Sequence, residues 1–263
     1  AIATRPGGST SHMDTIFQSL THVWTLSLLL AACLALPSGI LQGYAGFGGA
    51  LFAAPFFAIL LGPATGFSIL VILMLFSQAP LLPDALRKAD WKEFAPPAVA
   101  AAITMPLGVS FLVTADPTFI RRGMGVLILL VTLVMMLGYR YTGKRRILVG
   151  IGTGAAAGAI SGFFGVPAFP LAAMYLHNAN LSPGVIRANV LAAICCTLTV
   201  YLVVLSLKGV YTPSILIQAA ILAPTFTVGV YLGQYLFRIA PADWFKKITY
   251  AILISTALIM MAT

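Results

Sequence analysis

The chain has 263 residues, of which 60% are hydrophobic and only 8% charged, and its mean hydropathy is +1.01. A soluble domain carries about 25% charged residues, and the apolar runs here are continuous over roughly 20 residues, so a soluble enzyme, a soluble binding protein and a β-barrel with its alternating pattern are all excluded. The net charge of +9 gathers in short loops between apolar runs, which is the pattern that sets membrane topology and gives no reason to expect a nucleic-acid partner.

Residues 1–13 (AIATRPGGSTSHM) read as a cloning-derived linker and are set aside. Apolar segments then follow near 16–36, 47–61, 64–82, 94–114 and 119–138, and again near 147–161, 166–176, 184–207, 213–237 and 244–261. The second and seventh are too short for a comfortable span of about 20 residues. Each follows a break dense in glycine and proline: residues 43–50 (GYAGFGGA) with Pro55 after them, and residues 158–167 (GAISGFFGVP) with Pro170 after them. Glycine loosens a helix and proline removes a backbone donor. Backbone freed in this way at membrane depth must be satisfied by protein or by a watery cavity. One such break in each half is the sequence pointer to a transporter's binding site.

The halves repeat. Gly46 matches Gly162, Gly66 matches Gly184, Gly108 matches Gly229, and Met135-Met136 matches Met260-Met261. The expected architecture is all-α: a polytopic membrane protein with repeats at 14–143 and 144–263, each of about five segments with a glycine-broken short helix. Counting ten crossings, odd-numbered loops hold Arg87, Lys88, Lys92, Arg140, Lys144, Arg145, Arg146, Arg238, Lys246 and Lys247, and even-numbered loops hold Arg121, Arg122 and Lys208. This bias places the odd loops in the cytoplasm and both termini outside. Five crossings per half would make the second repeat enter from the opposite face, an inverted repeat. No nucleotide-binding P-loop is present.

At the two breaks the sequence resembles the TauE/SafE family of sulfite exporters, also called the toluene-sulfonate uptake permeases. The family repeats a motif of a glycine, an aliphatic residue, three glycines and a proline. Residues 46–55 (GFGGALFAAP) are similar to it with alanine at the last clustered glycine, and residues 162–170 (GFFGVPAFP) to its proline-containing variant. Leu171, Tyr175 and Leu176, the Arg187-Ala188-Asn189 element, the 87–91 loop and its counterpart at 208–212 extend the resemblance over about 16–263. It implies a multi-pass protein of the bacterial inner (plasma) membrane that moves sulfite, sulfonates or related small organosulfur or carboxylate anions, without a cofactor. The membrane lipid is its expected surroundings, and a homodimer is compatible with the sequence.

The candidate binding residues follow from the breaks. An unwound segment leading into a short helix presents free N–H groups and the positive end of the helix dipole, which suits an anion. Gly46, Gly48, Gly49, Gly162 and Gly165 would allow that close approach; tight helix packing through small residues is the competing reading. Arg187 is a natural oxyanion ligand with Asn189 beside it, or an interfacial residue whose head reaches the headgroups. Ser77 and Gln78 are polar groups inside an apolar run, where they are costly and often functional. Tyr44 completes the set; Gln42, Ser161 and Thr197 carry less weight. Cys195 and Cys196 could support thiol chemistry on sulfur in an integral-membrane enzyme, but inert packing is the more ordinary role of buried cysteine. The three histidines, His177 among them, are scattered and form no metal pattern. All six acids lie at segment ends or in loops, so ion coupling through a buried carboxylate is not expected. Transport would run down a gradient, or with protons carried by the substrate itself.

Overall fold

The structure, a computed structural model, describes residues 26–45, 48–137, 147–166, 183–239 and 242–262. These residues form α1 (Leu26–Ala45), α2 (Gly48–Leu61), α3 (Pro63–Gln78), α4 (Leu82–Lys88), α5 (Trp91–Thr114), α6 (Pro117–Met136), α7 (Ile147–Phe164), α8 (Pro183–Leu207), α9 (Pro213–Ile239) and α10 (Ala242–Ala262). One 3-10 turn, Ala79–Leu81, joins α3 to α4, so Pro63–Lys88 runs as a single 26-residue span. Among the described residues, seven helices are long and apolar enough to cross a membrane. Large apolar side chains such as Val99, Ile103 and Leu107 are exposed along α5, as contact with hydrocarbon requires. The chain is a multi-pass membrane protein.

Helix ends fall where the local chemistry places them. Gly62, at φ 87°, turns the chain, and Pro63 opens α3 at a position that needs no backbone donor. Asp90 caps α5 by accepting from Lys92 N at 3.1 Å. Asp116 caps α6, accepting from Thr118 N at 2.8 Å and Phe119 N at 3.1 Å. Gly165, at φ 60°, stops α7 by donating to Ser161 O at 2.9 Å, and Gly209 closes α8 with the paired bonds Gly209 N to Ser206 O and Val210 N to Leu205 O.

The two N–H donors from Phe119 and Thr118 hold the Asp116 carboxyl below the ordinary carboxylate range. A depressed folded value means the cap contributes stability above the unfolded pKa and loses it as pH falls through the folded one. Asp116→Ala is therefore expected to lower the thermal midpoint at neutral pH, and the gap from wild type should close in acid. A gap that persists unchanged in acid would remove the charged cap as its cause.

Two departures from the expected segments have one cause. The first helix runs on through Gly39 and Gly43 to Ala45, and α7 runs through Gly158 and Gly162 to Phe164. These glycines sit inside helices because a neighbouring backbone lies against them. A Cβ at Gly39 or Gly43 would land on Phe226 O or Val230 O of α9, and one at Gly158 or Gly162 on Ala101 O or Met105 O of α5. Small residues let membrane helices approach this closely. Thr104 Oγ1 ties the second crossing by donating to Ala155 O at 2.8 Å. The second predicted short segment, 166–176, lies outside the described residues beyond Val166.

Helix directions can be traced contact by contact. Gly49 rests on Ser38 and Gln42, so α2 doubles back along α1, and Gly66 rests on Phe57, so α3 doubles back along α2. At 14 residues, α2 is about 21 Å long, short of the roughly 30 Å hydrocarbon core. It is buried nearly all round, through Ala50, Leu51, Ala53, Ala54, Phe57 and Ala58, as a helix apolar on every face must be. The start of α5 lies beside Asn189, and Leu112 near its end meets Gly165 next to Phe67 at the start of α3; α5 is thus antiparallel to α3. Gly154, Gly158 and Gly162 meet Pro97, Ala101 and Met105 in rising order, so α7 is parallel to α5. In the same way α1 and α9 are parallel. Gly125 early in α6 meets Ala257, Met260 and Met261 late in α10. Packing between the halves interchanges: α1 on α9 answers α7 on α5, and α3 on α9 answers α8 on α5.

Candidate functional site

Helices α3 and α8 run antiparallel, with Asn189 at the α4–α5 turn and the Tyr201 ring 4.7 Å from that of Phe67. Two adjoining chambers lie along this seam and share Ile194. The larger, about 80 Å³, is walled by Gln42 and Gly43 of α1, Ser77 and Gln78 of α3, Val230 and Gln234 of α9, Leu81 and the first turns of α8. The smaller, about 40 Å³, is apolar except for Ser161, Thr197 and Tyr201, and Ala50 in the first turn of α2 reaches it. The larger, which we call the amide chamber, exceeds the roughly 10–15 Å³ that one water needs.

The amide chamber is polar without being charged. Gln42, Ser77 and Gln78 are each at least nine-tenths buried. Ser77 donates its hydroxyl to Met74 O at 3.0 Å, which leaves its lone pairs free to accept. Gln78 Nε2 is buried and has no hydrogen-bond partner among the described residues. An orphaned buried donor costs about 1–3 kcal/mol, and the residue that carries this one lines the chamber. Each described acid stands at a helix end: Asp84 pairs with Lys88 at 2.8 Å on the exposed face of α4, Asp90 and Asp116 are caps, and Glu93 lies in the first turn of α5. Among the described residues no group of three or more His, Cys, Asp or Glu gathers to hold a metal.

The predicted residues separate into three sets. Ser77 and Gln78 meet in the chamber with Gln42, and Gly49 seats the start of α2, opened by Gly48, against Gln42. Asn189, fully buried, spends its Oδ1 on Asp90 N at 2.7 Å, while its Nδ2 has no partner among the described residues; it precedes the chamber residue Val190 on α8. Elsewhere, Tyr44 packs edge-on against Phe237 with ring centroids 5.4 Å apart, Gly162 lies in the α5–α7 crossing, and Gly165 caps α7. Gly46 and the side chain of Arg187 lie outside the described residues, as does His177. Two polar lining residues went unweighed in the sequence, Gln234 and Tyr201. Gln234 carried the same signal as Gln78, an amide inside an apolar run; a tyrosine in such a run carries none.

Cys195 is buried and Cys196 exposed on α8, and neither is in a disulfide. In detergent and a Cys33→Ala background, an apolar maleimide is expected to label Cys196 faster than Cys195, with both slow because a thiol in an apolar setting stays protonated. Equal rates for the single-cysteine variants would show that α8 does not present the two thiols differently.

The family model described as Sulfite exporter TauE/SafE matches residues 29–260, nearly the whole chain. No curated protein and no solved structure matches.

Proposed function

From the membership of this chain in the TauE/SafE sulfite exporter family, a family of membrane transport proteins, we propose that it moves a small anion, sulfite or an organosulfonate, through the seam between α3 and α8. The observation that carries this reading is Gln78 in the lining of a chamber that also holds Gln42 and Gln234, with its Nε2 buried and without a partner among the described residues. The nearby start of α2 adds its N-terminal dipole, which favours an anion. Arg187 stands closer to the beginning of α8 than any chamber residue, and its proposed part is to draw the anion to the mouth.

The helix directions support an inverted duplication. Each helix of the second half whose counterpart is described runs against it: α7 against α1, α8 against α3, α9 against α5, α10 against α6. The chamber then lies on the seam between two counterpart helices. Relative rocking of the halves would open it first to one face and then to the other, as in other inverted-repeat transporters. The absence of an acid among the described lining residues fits transport without a carboxylate-borne coupling ion. The bacterial inner membrane is the location we propose.

Uptake of labelled sulfite, methanesulfonate and short carboxylates into proteoliposomes tests the proposal. Saturable sulfur-oxyanion uptake is the expected result. Equal leakage in protein-free vesicles would remove it.

A further inference from the structure

Resting on that reading, we infer that the amide chamber accepts singly charged oxyanions and turns away doubly charged ones, so that hydrogensulfite, and not sulfite dianion, is the form carried. The lining supplies the reason. Among the described residues ten wall the chamber and none of these is ionisable. The free energy of taking an ion out of water grows as the square of its charge, so a dianion costs about four times a monoanion. Neutral donors such as Gln78 Nε2 offset one charge far better than two.

Amides also match the protonated form in kind. Hydrogensulfite presents acceptor oxygens and, in its hydroxyl form, one O–H donor. Glutamine offers both a carbonyl and an NH₂, and Ser77 keeps acceptor lone pairs. A chamber built for a dianion needs donors alone, and lysine or arginine would serve it better.

Among the described residues, no titratable group on the surrounding elements lines this space. On α1, Tyr44 turns to Phe237 and Cys33 is exposed. On α4, Asp84 and Lys88 pair at the exposed surface, and Arg87 is exposed beside them. Asp90 and Glu93 belong to the start of α5. On α8, Tyr201 lines the apolar chamber, Cys195 is buried and Cys196 exposed. On α9, Tyr231 and Tyr235 are exposed. The side chains of Arg187 and Arg238 lie outside the described residues.

The test uses wild-type protein in proteoliposomes with three probes. Labelled sulfite is followed at fixed total concentration across the pH range of its second ionisation. Labelled methanesulfonate, a monoanion throughout, reports any titration of the protein itself. Sulfate, a dianion of similar shape, is added as competitor. The expected result is sulfite uptake falling about tenfold per pH unit above that ionisation, flat methanesulfonate uptake, and no competition by sulfate. Sulfite uptake that stays level or rises with pH, or sulfate competing as well as methanesulfonate, overturns the inference and leaves anion transport standing. If neither sulfite nor methanesulfonate enters, the transport reading itself fails and takes the inference with it.

Discussion

Replacing Gln78 with leucine is expected to lower the initial rate of sulfite or sulfonate uptake about 10- to 100-fold while leaving the protein as stable as before, or more so. The first effect follows from the loss of a donor to a charged ligand, which is worth about 1.5–3 kcal/mol, with each 1.4 kcal/mol a factor of ten. The second follows from the empty protein. Gln78 Nε2 is buried with no partner among the described residues, so its removal breaks no hydrogen bond there and relieves a desolvation cost. Leucine is of similar size and suits the apolar neighbours Leu81, Val190 and Ile194. Gln78→Glu should be the more severe change for transport, since it sets a carboxylate against an anion in a low-dielectric site. Proteoliposome uptake and thermal unfolding in detergent, measured on the same preparations, separate the possibilities. Undiminished uptake with a lowered midpoint would make Gln78 a packing residue and move the site elsewhere.

This opposition of function and stability marks where the sequence was legible and where it was not. Helix content, the short buried α2 and the polar pair Ser77 and Gln78 could be read directly, because hydrophobic length and a polar group in an apolar run are local signals. The partners of that pair were not local. Gln42, Gln78 and Gln234 come from α1, α3 and α9, and only the packing of α1 and α3 on α9 brings them together. The glycines misled for the same reason. Gly158 and Gly162 read as a break in the chain, since glycine density says that a helix is weakened but not that a neighbouring backbone compensates. The α5 helix does so here, and α7 continues to Phe164. The break itself begins at Gly165, whose positive φ ends the helix.

Within α7, two glycine-to-alanine substitutions are expected to act in opposite directions. Gly162→Ala places a Cβ 2.6 Å from Met105 O and 3.0 Å from Gly108 Cα. Neither neighbour is a flexible side-chain end, so the two helices must separate. Overpacking of this kind costs about 1–3 kcal/mol, and Gly162→Leu should leave little folded protein. Gly152→Ala meets nothing within 4 Å, and alanine is the better helix former by about 0.5–1 kcal/mol, so its midpoint should hold or rise. The contrast controls for helix propensity, since both positions lie in one helix and receive the same side chain. If the two variants unfold alike, the close approach of α7 to α5 is not what holds them together. The interchange of that crossing with α1 on α9 then yields a stricter expectation: Gly39→Ala, which points its Cβ at Phe226 O and lies 3.0 Å from Gly229 Cα, should cost about as much as Gly162→Ala. The duplication proposed above predicts that equality, and a Gly39→Ala protein as stable as wild type would count against it.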